Sequence, residues 1–246
     1  MKTITLAQSA ALALAFTAIA APAAAESAAG DVTPYIQAST GYAFGDAGGG
    51  GNILSGTGFG GDFGNSGSYG GGIGLKLPGT IGPASFRVDL TGSFNPSLGG
   101  SGHGGTLANG TPITATVKLA DTVYLANLYA DFNLGLPVTP FIGIGVGGAH
   151  KKVGNIVYSN PMGNIALVTG NDHEGVAWSA TTGASYSLTA NLAVELAYRF
   201  TECGKVNAGT NFVDLTQTPS VVQGLNQQIS SRLELHQLNA TLRYSF

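Results

Sequence analysis

Charge is what this chain has least of. Only 9% of its 246 residues are Asp, Glu, Lys or Arg, against roughly a quarter in soluble domains. A water-exposed surface that poor in charge would be badly solvated. There is no basic excess either: 10 Lys and Arg stand against 13 Asp and Glu, which excludes a nucleic-acid-binding surface. One cysteine, Cys203, rules out an intramolecular disulfide. Beyond the first 25 residues no run of 18 apolar residues occurs, so no transmembrane helix is expected.

Residues 1–25 read as a secretory signal peptide. Lys2 supplies the positive start, Ala10 to Ala20 the apolar stretch, and Ala23-Ala24-Ala25 a small-residue cleavage site before Glu26. Residues 26–246 are then one domain, and loss of Lys2 leaves nine basic and thirteen acidic residues, a net of −4.

What the chain does have is glycine, 39 residues of it, and period-two alternation. Eight segments alternate: 32–44, 68–78, 84–96, one ending near Leu134 and starting as early as Ile113, 139–150, 175–187, 191–201, and 235–246. In the last, His236, Leu238, Ala240, Leu242, Tyr244 and Phe246 share one face. Gln237, Asn239, Thr241, Arg243 and Ser245 share the other. Short connections at 79–83, 135–138 and 188–190 alternate with long ones at 45–67, 97–112, 151–174 and 202–230. That is the pattern of an outer-membrane barrel with short periplasmic turns and long external loops. The expected fold is all-β: an eight-stranded antiparallel up-and-down transmembrane β-barrel with both termini periplasmic. The Gly-rich stretch 45–67 is expected to be flexible and solvated.

The aromatics support that geometry. Phe86 and Phe94, Tyr124 and Phe132, and Trp178 and Tyr186 are each eight residues apart on one face. Eight steps of ~3.3 Å, tilted by ~40°, span about 20 Å, near the ~25 Å between aromatic girdles. The expected girdle is Phe86, Phe94, Tyr124, Phe132, Trp178, Tyr186, Tyr198, Tyr244 and Phe246. The inward face carries Lys76, Arg87, Asp89, Asp131, Glu195, Arg199 and Arg243. Charges in so narrow a lumen are expected to form an ion-pair network that plugs it. Inward glycines (Gly70, Gly72, Gly74, Gly143, Gly145, Gly147) pull the other way, leaving space for water or for neighbours such as Tyr129 and Phe141.

Candidate chemistry is thin. Gly143 to Gly148 matches G-x-G-x-x-G, but the alternation runs on as a strand where a dinucleotide motif needs a helix. Asp172, His173 and Glu174 lie at a loop end without a second acidic pair. His150 and His173 could approach across a loop, yet two ligands do not make a metal site. Ser231 and His236 are poorly spaced for a His–Ser arrangement. No catalytic residue, metal or cofactor is expected.

Asn127-Leu128-Tyr129-Ala130-Asp131-Phe132 and Thr139-Pro140-Phe141-Ile142-Gly143-Ile144-Gly145-Val146-Gly147 resemble the porin-like outer-membrane proteins and major surface antigens of alphaproteobacteria. So do Trp178, Gly183, Tyr186 and Tyr198-Arg199-Phe200. The resemblance implies an OmpA-type barrel with variable surface loops in the outer membrane of a Gram-negative bacterium. With the chain ending at Phe246, no peptidoglycan-binding domain is expected. The terminal Phe resembles the signal read by the barrel assembly machinery. The expected function is an integral barrel supporting envelope integrity and presenting surface loops. A small diffusion pore and an adhesin acting through the loops are the alternatives. Expected partners are outer-membrane lipid and the assembly machinery, with any host or environmental ligand at the loops unknown.

Overall fold

A computed structural model describes residues 32–48, 61–217, 219–224 and 230–246. The signal peptide and the middle of the Gly-rich stretch fall outside the described residues. Twelve strands run in chain order: β1 (Thr33–Gly48), β2 (Gly61–Ile81), β3 (Ala84–Thr106), β4 (Pro112–Phe132), β5 (Val138–Val153), β6 (Ile156–Asn160), β7 (Gly163–Val168), β8 (Asn171–Ser187), β9 (Leu192–Asn207), β10 (Asn211–Asp214), β11 (Val221–Gly224) and β12 (Ser230–Ser245). Eight of them close a ring in the order β4-β3-β2-β1-β12-β9-β8-β5, with β5 pairing back onto β4. All eight pairings in that ring are antiparallel.

Following the pairing around the ring fixes the barrel's dimensions. From Thr40 through Tyr69, Phe94 and Thr122 the path reaches His150. The other way, through Ala240, Leu196 and Ala184, it reaches Pro140. The mismatch of ten residues is the shear. With ~3.3 Å per residue and ~4.8 Å between strands, eight strands sheared by ten tilt at about 41° and enclose a backbone radius of about 8 Å. Side chains can fill so narrow a lumen.

The strands are longer than the alternation predicts, and the long loops are correspondingly shorter. Residues 97–106 and 112 onward are strand, leaving a turn of five residues at 107–111. The stretch 151–174 holds β6 and β7, which continue β5 and β8 past short kinks. The stretch 202–230 holds β10 and β11. Above the barrel the sheet runs on as β4-β6-β7-β10-β11. Backbone hydrogen bonds carry it across the kinks: Gly154 N to Lys118 O at 2.7 Å and Thr169 N to Asn211 O at 3.0 Å.

The reason for the misreading lies in β4. In its lower part Tyr124, Ala126, Leu128, Ala130 and Phe132 point out, and Asn127, Tyr129 and Asp131 point in. In its upper part the polar Thr114, Thr116 and Lys118 are exposed, and the apolar Ile113, Ala115, Val117 and Leu119 are buried. The pleat keeps its phase while the chemistry exchanges faces. The same exchange occurs in β12: Leu233 and Leu235 are buried inside with Arg232 and Glu234 outside, whereas further down Gln237 and Arg243 are inside with Leu238 and Leu242 outside. Apolar-out is the rule in lipid, and apolar-in is the rule in water. The exchange marks the outer membrane surface. From Tyr124 to Pro112, twelve residues reach about 30 Å beyond it.

Above that surface the inner face forms a common apolar core. Leu98, Val117, Leu119, Val153, Ile156, Tyr158, Val168, Val206, Leu233 and Leu235 all belong to it.

Candidate functional site: the filled lumen and its outer layer

The lumen is filled from the periplasmic end upward. Arg87, on β3, is 1% exposed. Its Nε lies 3.1 Å from Asp131 and its Nη2 3.3 Å from Glu195. Glu195 is also held by Arg243 at 2.6 Å. The Arg87 guanidinium sits 4.2 Å from the Tyr129 ring centre and 4.8 Å from that of Phe141. Arg243 lies over Tyr35 at 5.5 Å. Burial of this kind demands that the charges be paired and hydrogen-bonded.

The ion pairs join four of the seven charged residues expected inside. Asp89 is held instead by neutral donors: the Tyr35 hydroxyl at 3.0 Å, Gln37 at 2.9 Å and Asn127 at 2.7 Å. Arg199 donates to Thr181 at 3.3 Å and to the Tyr129 hydroxyl at 3.1 Å. Lys76 is half-buried and, among the described residues, takes no part in an ion pair within 4 Å. Tyr35 and Gln37, which the parity of β1 places inward, complete this lining together with Asn127 and Phe141.

The inward glycines have a specific task. Tyr35 pairs with Gly74, Tyr129 with Gly143 and Phe141 with Gly183. A Cβ on Gly143 would stand 2.3 Å from the Tyr129 ring, and one on Gly74 equally close to Tyr35. Each large ring lies flat across a glycine on the neighbouring strand, a known device of barrel walls. Gly74, Gly143 and Gly183 make room for rings, and the Tyr129 and Phe141 rings, edge-to-face at 5.9 Å, form a corner over which Arg87 lies. Among the described residues a polar cavity of about 30 Å³ lies between Gln37, Thr91, Tyr129, Glu195, Arg199 and Asn239, space for about two waters.

Higher up, a second polar layer crosses the lumen where the alternation exchanges faces. Gln237 donates to Ser68 at 3.0 Å and to Asn95 at 3.3 Å. Asn95 donates to Asp121 at 3.4 Å. Lys151, in direct register with Asp121, donates to the carbonyls of Cys203 and of Lys205, the latter at 2.9 Å. Ser68, Gln237, Asn95, Asp121, Lys151 and Cys203 are all at most 5% exposed. They come from β2, β12, β3, β4, β5 and β9. The alternation could have found Asp121 and Lys151, since each shares its parity with inward residues already identified in β4 and β5.

Outside, the girdle residues Phe94, Tyr124, Trp178 and Tyr198 are exposed at the upper rim, and Tyr186 and Tyr244 at the lower. Phe86, Phe132 and Phe246 are half-buried at the lower rim. Phe246 packs edge-on against Tyr244 at 5.3 Å. Tyr42, Phe44, Tyr69 and Phe200 extend the upper ring. His236 stands in it, its Nδ1 2.6 Å from the Tyr198 hydroxyl and its ring 5.3 Å from Phe200.

The remaining candidates do not assemble. His150 pairs with Glu174 at 3.7 Å. His173 is opposite Lys151, one residue out of phase, so the two histidines lie on opposite faces. Ser231 is buried inside β12 while His236 stands outside. Gly143 to Gly148 is continuous strand.

An aromatic-banded, lipid-facing wall around a filled polar lumen defines an integral protein of the Gram-negative outer membrane. The chain belongs to the outer membrane protein beta-barrel domain family, whose model matches residues 11–246. It is 32% identical over 128 residues to the outer membrane protein PagN of Salmonella typhimurium. That match covers 51% of this chain and 53% of PagN, so the chain spans about half the length of that relative. A putative adhesin of Rickettsia canadensis is 31% identical over 166 residues, covering 65% of this chain and 68% of its own. Among solved structures, the outer membrane protease OmpT from Escherichia coli superposes with a TM-score of 0.51 at 11% identity, over 90% of this chain and 99% of that one. At that identity the likeness is one of fold.

Proposed function

We propose that this protein is a sealed, non-conducting and non-enzymatic anchor that holds three rigid hairpins outside the cell. The lumen carries the reading. Below the surface it is occupied by the Arg87–Glu195–Arg243 group and rings laid over glycines. Above the surface it is occupied by an apolar core. A residual cavity of about 30 Å³ supports isolated water rather than a diffusion path. The test is conductance of the refolded barrel in a planar bilayer at neutral pH. The expected result is no stable open step; a steady, large open current would instead establish the small-pore alternative.

The adhesin reading is favoured by the hairpins β3–β4, β6–β7 and β10–β11. The first two share one buried core, against which Phe212 of β10 packs part-buried, and so present fixed rather than floppy tips. The Rickettsia relative is named a putative adhesin. Replacing residues 107–111, 161–162 and 215–217 with short neutral turns, barrel intact, should abolish adherence to cells or to an environmental surface. Unchanged adherence would remove this reading and leave the envelope role. Strand β12 and the Phe246 that follows it form the segment proposed to engage the assembly machinery. Phe246→Ala should lower the inserted fraction in cells while leaving refolding in detergent intact.

A further inference from the structure

We propose that the layer formed by Ser68, Gln237, Asn95, Asp121 and Lys151 is an acid-tightened latch that closes the outer end of the lumen and loosens when Asp121 loses its proton. It goes beyond the sealed-lumen reading but rests on it, since a latch needs a closed lumen to hold.

The geometry comes first. The layer ties six of the eight ring strands in a band that slants up across the lumen. Ser68 and Gln237 join β2 to β12, Asn95 joins β12 to β3 and β4, and Lys151 joins β5 to β9. Apolar core flanks it above, with Leu119 and Val153, and just below, with Val123 and Ala149, before the polar lumen begins. The membrane-spanning part of β4 ends at the girdle residue Tyr124, and that of β9 at Phe200. Asp121 and Cys203 each lie three residues beyond, on the external side.

Asp121 is the weak member. It is 0% exposed, and among the described residues it receives one hydrogen bond, at the long distance of 3.4 Å, and its Oδ1 has no hydrogen-bond partner. The nearest cation, Lys151, is turned to two β9 carbonyls and makes no ion pair with it within 4 Å. A carboxylate in that position has lost water without gaining partners. A neutral carboxyl fits, and an ionised one is relieved by opening the layer to water. Burial accordingly pushes the Asp121 carboxyl up to about 7, against the smaller opposing effects of the Asn95 hydrogen bond, Lys151 and His150. The other titratable groups around it are Lys151, lowered by burial, and the Cys203 thiol, raised by burial, with Glu202 on the outer face of β9. His150 faces outward and is paired with Glu174.

The direction follows from linkage. The closed layer binds the Asp121 proton more tightly than an open, hydrated layer, where the carboxyl returns to about 3.9. Opening is then least favourable below that value. It rises about tenfold per pH unit up to about 7 and levels off above it.

Cys203 is the only cysteine, it is 0% exposed, and it lies in the layer. The full barrel in lipid vesicles can be labelled from outside with a charged, membrane-impermeant methanethiosulfonate. Rates are divided by those of a free thiol at the same pH. The normalised rate should rise about tenfold per unit from pH 5 to 7 and then level off. Asp121→Asn should stay at the low, acid rate throughout. Lys151→Met, which removes the cation that favours the carboxylate, should move the plateau to higher pH. His150→Gln should leave the profile as it is. Identical profiles for wild type and Asp121→Asn overturn the latch. So does a flat wild-type profile, which decides the matter even if a variant fails to insert. A barrel that conducts at every pH defeats the sealed lumen itself, a distinguishable result.

Discussion

Arg87→Met removes the centre of the lower lumen without changing its packing much. The side chain is replaced by an unbranched one that can still lie over the corner formed by the Tyr129 and Phe141 rings. What disappears is the charge. Asp131 loses its 3.1 Å partner and Glu195 its 3.3 Å partner, though Glu195 keeps Arg243 at 2.6 Å. Asp131 is 13% exposed at its side chain and Glu195 5%, so water replaces little of the loss. Removing one partner of a buried pair costs about 3–5 kcal/mol. The guanidinium–ring stacking adds roughly 0.5–2 kcal/mol, partly recovered by the thioether against the same rings. The expected destabilisation is therefore about 3–5 kcal/mol, most of it from Asp131. A cycle with Asp131→Asn should recover a large share, since the amide needs no counter-charge. Equilibrium unfolding by denaturant in lipid vesicles measures this, with Trp178 as the probe. It is the chain's only tryptophan and stands on the lipid-facing upper girdle, so its emission shifts when it leaves lipid. A loss below about 1 kcal/mol is what a hydrated surface pair would show. That result would mean the lumen is water-filled and the sealed-anchor reasoning wrong.

Gly147→Ala should be poorly tolerated, because its Cβ would stand 1.9 Å from the Tyr124 carbonyl oxygen, whereas Gly148→Ala meets nothing nearer than 3.6 Å. The first should lower stability by about 1–3 kcal/mol and the second by little, as read by the same unfolding assay. Leu119→Ala, in the external core and 1% exposed, should cost about 2–5 kcal/mol. It should also speed amide exchange in β3, β4 and β6 while sparing the girdled part of the barrel. Leu128→Arg, midway between Tyr124 and Phe132 on the outer wall, should cost about 2–4 kcal/mol and reduce the folded fraction seen by heat-modifiable gel migration.

The sequence carries the barrel plainly wherever one face must meet lipid. The eight alternating segments coincide with the girdled parts of β1, β2, β3, β4, β5, β8, β9 and β12. It hides the rest for a physical reason. Past Tyr124 in β4 or His236 in β12 the apolar residues move to the other face, and a reader following apolar-out alternation stops there. The long connections consequently read as loops. The lumen charges were legible as a set because each sits at inward parity. Their partners were not, since register decides that Asp89 meets Tyr35, Gln37 and Asn127, and only closure of the ring brings Arg87 across to Glu195, more than a hundred residues away. Gly143, Gly145 and Gly147 were legible as space. That the space at Gly143 belongs to the Tyr129 ring, and that at Gly145 to Asn127, required the pairing of β4 with β5.

The exchange of faces along β4 and β12 sets how the protein tolerates insertion and deletion. Removing one residue between the two regimes would leave each half intact and rotate it relative to the other. Either the hairpins would turn Val117 and Leu119 toward water, or the wall would turn Asn127 and Asp131 toward lipid. Removing two residues would preserve both orientations and merely shorten the protrusion. Length changes at this boundary should therefore be accepted in even steps and rejected in odd ones, unless a bulge such as that between Arg232 and Glu234 absorbs the odd residue. The tips, beyond the shared core, carry no such counting rule, and variation in hairpin length has its cheapest outlet there.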